Sequence, residues 1–370
     1  MTSAAEVLVA CLEDEGVEYV FGLPGEELED LLFALRDSDV TFVPVRHEQG
    51  AAFTADVHGR LTGEAGVCLS TLGPGATNLV TGLADATLDK APLVAITGQG
   101  GLERLHKESH QAIDVVEMLA PITKWNAQIS DPDIVHETVR KAFKVAEYEK
   151  PGATHLELPE DVAAIATAVE PIEQRDGVRR PAPDDHSLER LRDLLVAAER
   201  PLIISGNGAV RTNAAHELRT FVERTNVPVA STYTGKGAVS DADPRSLMTL
   251  DSGDEQQASE AIGLADLVIA IGYDIAEHDP AGWNPRGDVT IVHVDSQPAE
   301  VYQHYNPDLE IVADLATTLR ELTGVCDTEE ASCDPTWYAD LREEIVADVS
   351  DRPDAAEPFT VAGVLPTLRD

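Results

Sequence analysis

The chain alternates between segments with apolar residues at helical spacing and short runs that are apolar throughout. In the first helical segment, Ser3 and Glu6 form a capping-box pattern ahead of an apolar stripe within residues 7–12. Apolar runs such as 67–71 and 93–97 each lead through a turn or loop into a further helical segment. Continuous apolar strands that alternate with helices are typical of a parallel sheet covered on both faces. The pattern therefore predicts an α/β fold.

Two such α/β units follow each other along the chain. The predicted strands are 19–21, 41–45, 67–71, 93–97 and 154–158 in the first unit, and 202–205, 227–230, 267–271, 289–294 and 309–312 in the second. Between them, residues 161–185 are irregular and rich in proline. We predict two doubly wound parallel-sheet domains at 1–165 and 187–325, joined by a linker at 166–186. An acidic linker and the start of a further domain would occupy 326–370.

The charge of the chain narrows the classes of function. Its 370 residues carry a formal net charge of −40, which excludes a surface for nucleic acid because phosphates would be repelled. The acidic residues are spread over the predicted helices, so we hypothesise a surface adapted to concentrated salt. The sequence shows neither a membrane-spanning run nor a signal peptide, and we predict a cytoplasmic protein. The four cysteines lack C-x-x-C spacing, and no metal site is predicted in this chain.

Three turns after predicted strands carry the candidate chemistry: Phe21–Glu26, His47–Ala52 and Gly73–Asn78. Each turn alone has an ordinary explanation, because an acid is favoured in the first turn of any helix and Gly-Pro-Gly is a common tight turn. The carboxyl ends of parallel strands meet at one edge of a sheet. Together, the three turns therefore predict one crevice at that edge.

The three turns resemble, in the same order, the F-G-x-P-G, R-H-E-Q-x-A-A and G-P-G-A-[ST]-N segments of the acetolactate synthase family. The resemblance covers residues 1–325 and includes Gly206-Asn207-Gly208 in the second domain. It implies a thiamine diphosphate enzyme that decarboxylates pyruvate and joins the product to a second 2-keto acid, giving 2-acetolactate. It also implies that the first domain binds the pyrimidine of the cofactor and that the second is the central, nucleotide-fold domain.

The same resemblance assigns roles to individual residues. Glu48 would hydrogen-bond a ring nitrogen of the aminopyrimidine and so activate the cofactor, and Gln111 would act beside it on the substrate side. The implied cofactor-binding residues are Pro24, Gly25, Glu48, Gly73, Pro74, Gly75 and Asn78. Lys124 matches a lysine near the substrate entrance, although a solvated surface lysine explains it equally well. Leu72 departs from the family, which has a small hydroxyl residue at that position.

In the family, a third domain binds the diphosphate and Mg²⁺ through a G-D-G segment and a later asparagine. Neither is found here, and Asp251-Ser252-Gly253-Asp254 comes too early in the chain to match. We therefore expect the chain to be inactive alone, and to work as a homodimer or tetramer or with a separate chain that carries that domain. Segments 110–114 and 271–280 resemble the catabolic, FAD-independent branch, so a catalytic role for FAD is not expected.

Two other hypotheses stay open. The chain could belong to another thiamine diphosphate decarboxylase or carboligase, which the product formed from pyruvate alone would reveal. It could instead be a non-catalytic nucleotide-binding or interaction protein derived from the same family, which titration with FAD or ADP would test. The sequence leaves the second keto acid and the choice between a biosynthetic and a catabolic role undecided.

Overall fold

The computed structural model describes residues 2–174, 178–250, 257–326 and 329–350. The chain divides into two compact units between Val178 and Arg179. That division lies within the predicted linker, while the outer boundaries given above remain predictions. Residues 251–254, considered above for a diphosphate site, lie outside the described residues. In the described ranges, no helix combines the length and the apolarity that crossing a membrane requires.

The first unit is a six-stranded parallel sheet with helices packed on both faces. Its strands are β1 (Thr2–Ser3), β2 (Tyr19–Gly22), β3 (Thr41–Pro44), β4 (Gly66–Ser70), β5 (Leu93–Gln99), β6 (Trp125–Gln128), β7 (Ala153–Pro159) and β8 (Ala166–Thr167). Its helices are α1 (Ala4–Asp14), α2 (Glu29–Arg36), α3 (Glu48–Thr62), α4 (Gly73–Leu88), α5 (Val115–Leu119), α6 (Val135–Glu147) and α7 (Glu160–Ala163). The main sheet has the order β3-β2-β4-β5-β7-β6, and β1 pairs antiparallel with β8.

Alternation along the central strands produces two cores in this unit. Val67 and Leu69 of β4 are buried with residues of α1, α2 and α6, whereas Cys68 between them is buried with residues of α3 and α4. Successive side chains of a strand point to opposite faces, so a strand covered on both faces must be apolar at every position. The predicted capping box is also present, because Ser3 and Glu6 each accept a hydrogen bond from the other's backbone amide.

The second unit is built in the same way. Its strands are β9 (Pro201–Ser205), β10 (Val229–Ser231), β11 (Ser246–Thr249), β12 (Leu267–Ile271), β13 (Thr290–Asp295) and β14 (Leu309–Val312). Its helices are α8 (Asp185–Ala197), α9 (Asn207–Arg211), α10 (Ala215–Thr225), α11 (Gln257–Leu264), α12 (Pro280–Trp283), α13 (Leu315–Val325) and α14 (Thr336–Ser350). The strands are parallel in the order β11-β10-β9-β12-β13-β14. The predicted fold class, two doubly wound parallel sheets, is confirmed.

The packed core of the second unit extends past residue 325, where the predicted central domain ends. Tyr338 and Ile345 of α14 are buried in the same core as β9 and β12. Acidic residues surround these positions in the sequence, but an apolar stripe at helical spacing is enough to dock a helix. The described part of the predicted acidic linker therefore packs as part of the second unit.

Candidate active site

The three candidate turns lie side by side at the carboxyl edge of the first sheet. Strand β2 lies between β3 and β4, and all three run parallel, so the segments that follow Gly22, Pro44 and Ser70 emerge at the same edge. A β-carbon added at Gly25 would lie 2.6 Å from the Thr71 Cβ, which shows how closely the first turn approaches the end of β4. The predicted crevice is therefore present in the structure.

Glu48 is a buried carboxylate at the start of a helix. It is the first residue of α3, and 6% of it is exposed. The Asn78 Nδ2 donates a hydrogen bond of 2.9 Å to the Glu48 Oε2. Because Glu48 begins the helix, its carboxylate lies at the positive end of the helix dipole. The geometry thus presents an oriented hydrogen-bond acceptor in the crevice.

Both glycines of the Gly-Pro-Gly turn allow close packing at the start of α4, and Gly75 does so beside this carboxylate. A β-carbon at Gly75 would lie 2.6 Å from the Ser70 Oγ and 3.3 Å from the Glu48 Oε1. Gly73 begins α4 with a φ of +33°. Leu72 before it is buried and provides no side-chain cap for the helix. A larger residue at position 75 would therefore meet both the end of β4 and the acid.

Gln111 reaches the same helix end through its backbone. A β-carbon added at Gly73 would lie 2.0 Å from the Gln111 carbonyl oxygen, so the two backbones are in close contact. Gln111 has a φ of +53°, in the left-handed region, and its side chain is exposed. Pro24 and Pro74 are also exposed at this edge. The structure therefore brings together the predicted residues Pro24, Gly25, Glu48, Gly73, Pro74, Gly75, Asn78 and Gln111.

Lys124 lies elsewhere in the first unit. Its backbone amide donates to the Ala153 carbonyl at the start of β7, which is the amino edge of the sheet. Its Nζ donates to the carbonyls of Val145 and Tyr148 at the end of α6, at 2.5 and 2.6 Å. These bonds give the ammonium group a structural role near the negative end of a helix dipole. Within this unit, Lys124 is not brought to Glu48.

Sequence reasoning missed a buried polar cluster at the same carboxyl edge, formed by Glu157, Gln99 and Gln128 and called here the Glu157 cluster. The Gln99 Nε2 donates 2.9 Å to the Glu157 Oε2, and the Gln128 Nε2 donates 2.6 Å to the Oε1. Burial raises the pKa of Glu157, while these two hydrogen bonds act in the opposite direction. The signal available in the sequence was Glu157 itself, the one acidic residue in the predicted strand 154–158.

The cluster lies at the floor of a cavity of about 560 Å³. Its other walls come from residues of the segment 105–117, including Ser109 and Asp114. This segment contains most of the loop that leads from β5 to the first residues of α5. The loop therefore joins the Glu157 cluster to the Gln111 contact on α4.

The glycines of Gly206-Asn207-Gly208 in the second unit are accounted for by packing. A β-carbon at Gly208 would lie 2.5 Å from the Gly272 Cα, and one at Gly206 would lie 2.3 Å from the Gly272 carbonyl oxygen. Two backbone segments cross here at a distance that only glycine allows. Among the described residues, no group of three or more His, Cys, Asp or Glu is arranged to hold a metal ion.

Two sequence families match the chain. Residues 2–118 match the family described as "Thiamine pyrophosphate enzyme, N-terminal TPP binding domain", and residues 188–322 match "Thiamine pyrophosphate enzyme, central domain". The first match contains the crevice with Glu48, Asn78 and Gln111, and the second spans β9 to β14.

Curated relatives align with most of the chain. It is 36% identical over 348 residues to a "Probable acetolactate synthase large subunit" of Methanocaldococcus jannaschii, covering 92% of this chain and 58% of that protein. It is 32% identical over 346 residues to an "Acetolactate synthase" of Bacillus subtilis, covering 93% and 60% respectively. For an "Acetolactate synthase, catabolic" of Raoultella terrigena, the identity is 34% over 319 residues, covering 86% and 57%. The chain thus spans less than two thirds of each of these relatives.

Proposed function

The chain belongs to the thiamine pyrophosphate enzymes, whose N-terminal and central domains it carries, and we propose that it forms the pyrimidine side of an acetolactate synthase site. The reaction would be the decarboxylation of pyruvate and the joining of its two-carbon remainder to a second 2-keto acid. The observation that carries the proposal is the Glu48–Asn78 pair beside Gly75, at the carboxyl edge of a parallel sheet.

The residues at this edge fit the aminopyrimidine ring of thiamine diphosphate. A buried carboxylate suits a ring nitrogen that donates a hydrogen bond, and Asn78 holds one Glu48 oxygen while the other lies beside Gly75. The absence of a side chain at position 75 lets the start of α4 pack closely against the end of β4 and this acid. When bound, the cofactor supplies an electron sink for decarboxylation.

The contribution of the chain is to position the ring and to hold a proton at one of its nitrogens. Asn78 fixes the orientation of the Glu48 carboxylate, which lies at the positive end of the α3 dipole. A carboxylate at this place would accept a hydrogen bond from the ring nitrogen that it faces and so keep the proton on that nitrogen. The Gln111 segment at the end of α4 would bound the crevice on the side where the keto acid enters.

The finer assignments belong to the same proposal. We propose that the diphosphate and Mg²⁺ bind to a domain other than the two carried here, in an oligomer or on a separate chain, in the cytoplasm. Segments 110–114 and 271–280 resemble the catabolic, FAD-independent branch, so we propose that FAD has no catalytic role, and the choice between a biosynthetic and a catabolic role stays open. Lys124 would contribute at the substrate side only if another part of the assembly approached the amino edge of the sheet.

Calorimetric titration with thiamine diphosphate and Mg²⁺ tests the proposal. Glu48→Gln removes the charge that the ring nitrogen requires, and we expect affinity to fall by about tenfold or more. Glu137→Gln is the matched control, since Glu137 is also an acid in the first turn of a helix but is exposed on α6. Equal affinities of the wild type and Glu48→Gln would contradict the proposal.

The reaction itself can be tested by adding a polypeptide that carries the diphosphate-binding domain of a relative. With pyruvate as the only substrate, the expected product is acetolactate. Acetaldehyde would instead indicate a decarboxylase. Formation of acetolactate should depend on Glu48 and be insensitive to Glu137→Gln.

A further inference from the structure

The side-chain amide of Gln99 makes three hydrogen bonds, two through its nitrogen and one through its oxygen. Its Nε2 donates to the Glu157 Oε2 at 2.9 Å and to the Ile113 carbonyl at 3.0 Å, and its Oε1 accepts from the Gly100 amide at 2.9 Å. Gln99 and Glu157 are each only 2% exposed. Because two acceptors face the amide nitrogen and one donor faces the amide oxygen, the side-chain amide can adopt only one orientation. Gln99 is therefore a fixed connection between strand β7 and the loop.

The loop of residues 100–114 is held at both ends. At its start, the Leu102 amide donates 2.9 Å to the Asp161 Oδ2, and the Gly101 amide donates 3.2 Å to the Glu160 Oε1. At its end, the Ile113 carbonyl is held by Gln99. The two anchors differ, because Glu160 and Asp161 lie on α7, whereas Gln99 acts from within the sheet.

The anchored end of the loop is the end that contacts the candidate active site. Gln111 is two residues from Ile113 and packs its carbonyl against Gly73, at the start of α4. Gly75 in the same turn borders the Glu48 Oε1. A shift of Ile113 would therefore move the backbone that covers the N-terminal turn of α4.

We propose that Gln99, held by Glu157 and Gln128, is a positioning residue that fixes Gln111 against α4 and so shapes the crevice beside Glu48. The effect on the crevice rests on the proposed function, whereas the anchoring of the loop does not. Glu157 acts through Gln99, because its carboxylate fixes the direction in which the Gln99 amide points. Gln128 holds the second carboxylate oxygen from the edge strand β6.

Hydrogen exchange of the whole chain, resolved by mass spectrometry, tests the anchoring. Gln99→Met keeps the volume but removes the three side-chain hydrogen bonds of Gln99, including the one to the Ile113 carbonyl, so exchange at residues 100–114 should rise about tenfold or more. Glu157→Gln is the conservative variant. The new amide can accept from Gln99 and donate to the half-exposed Gln128 after that side chain turns over, so exchange should stay near the wild-type rate.

Two further variants separate anchoring from general stability. Thr154→Val removes a buried hydrogen bond to the Ala142 carbonyl at the amino end of β7, and should leave exchange in the loop unchanged. Gln128→Met removes only the hydrogen bond from Gln128 to Glu157. The exchange rate at residues 100–114 should therefore rise less in this variant than in Gln99→Met. Gln128→Met also serves as the test if Gln99→Met does not fold. Unchanged exchange at 100–114, or an equal rise throughout the first unit, overturns the anchoring.

Titration of the same variants with thiamine diphosphate and Mg²⁺ tests the effect on the crevice. Gln99→Met should lower the affinity about fivefold to tenfold, whereas Glu157→Gln should keep an affinity near that of the wild type. Binding that is equal in all variants overturns the role in shaping the crevice, even where exchange in the loop has risen. If the wild type itself fails to bind, the proposed function is at fault and the anchoring is decided by the exchange rates alone.

Discussion

At the residue scale, Gly73 and Gly50 differ sharply in what an added methyl group would meet. At Gly73, φ is +33° and the new β-carbon would lie 2.0 Å from the Gln111 carbonyl oxygen. At Gly50, inside α3, nothing lies within 4 Å. The first position therefore needs glycine for close packing, whereas the second only bears the entropic cost of glycine in a helix.

Gly73→Ala should lower the free energy of unfolding by about 2–4 kcal/mol, because backbone must move to accept the methyl group. Gly50→Ala should raise it by about 0.5–1 kcal/mol. Urea unfolding read by hydrogen exchange in the first unit measures both. Similar effects of the two substitutions would show that the Gln111 contact does not constrain α4.

His155 supplies a pH prediction. It is fully buried in β7, where its Nε2 lies 2.8 Å from the Thr97 Oγ1, and burial lowers its pKa to about 3. In the unfolded chain, the His155 imidazole takes up a proton at a pH of about 6.5, whereas in the folded chain it does so only at about 3. The free energy of unfolding therefore falls as the pH drops from about 6.5 to about 3. Between pH 6.5 and 5 the expected loss is about 2 kcal/mol.

His155→Gln removes the titration while leaving a polar group for Thr97. The difference in unfolding free energy between variant and wild type should therefore change by about 2 kcal/mol between pH 6.5 and 5 in favour of the variant. The difference is the proper measure, because Asp56, Glu147 and Glu157 have pKa values raised by burial and gain stability as pH falls. Parallel pH profiles would contradict a neutral, buried His155.

The sequence was enough to predict some of these residues but not others. The Glu48 crevice could be predicted, since its residues sit at fixed places after strands and parallel strands share an edge. Glu157 could not, because its role depends on Gln99 and Gln128, which come from two other strands. The location of Lys124 could not be predicted either, because it depends on strand β6, which the sequence did not predict. Lys124 directly precedes β6, and this position places it at the amino edge of the sheet.

At the element scale, Arg60 joins α3 to α4. Its guanidinium lies 3.0 Å from Asp56 on α3 and 2.9 Å from both Asp85 on α4 and Asp89, which caps that helix. The Asp56 side chain is 2% exposed, whereas Arg60 is 32% exposed. Burial raises the pKa of Asp56, and Arg60 opposes that rise. Without Arg60, three carboxylates would face one another, one of them buried.

Arg60→Met, which keeps the apolar stem, should destabilise the first unit by about 2–3 kcal/mol. This is less than the full cost of breaking a buried pair, because water reaches most of the network. Asp56→Asn in the same chain should recover part of that loss by removing the buried charge. A double-mutant cycle measures the coupling, and strictly additive effects would show that the pair contributes nothing.

Two of the strands that the sequence did not predict, β6 and β8, share a physical cause. Strand β6 is a four-residue edge strand whose side chains are all partly exposed, and β8 pairs with only two residues of β1. Such strands lack the buried apolar run on which strand prediction depends. The docking of helix α14 was not predicted either, because the acidic residues around it in the sequence obscured which unit its apolar stripe would join.

At the scale of the whole molecule, charge is the dominant property. The chain has 67 acidic residues against 27 lysines and arginines, giving a net charge of −40. Repulsion among so many like charges opposes compaction, and it weakens as salt shortens the range of the interaction. That range is about 10 Å at 0.1 M salt and about 3 Å at 1 M. The stability of the chain should therefore depend strongly on ionic strength.

Thermal unfolding followed by circular dichroism should show a midpoint that rises from 0.1 M to about 1 M KCl and then levels off, because screening is nearly complete there. KCl is preferred to sulfate, which stabilises most proteins by exclusion from their surface. The double variant Asp14→Asn and Glu18→Gln removes two exposed charges near the end of α1. It should melt higher than the wild type at 0.1 M and converge with it at 1 M. A wild type that is fully stable at 0.1 M and indifferent to added KCl would rule out a salt-adapted surface, since repulsion would then be too weak to matter.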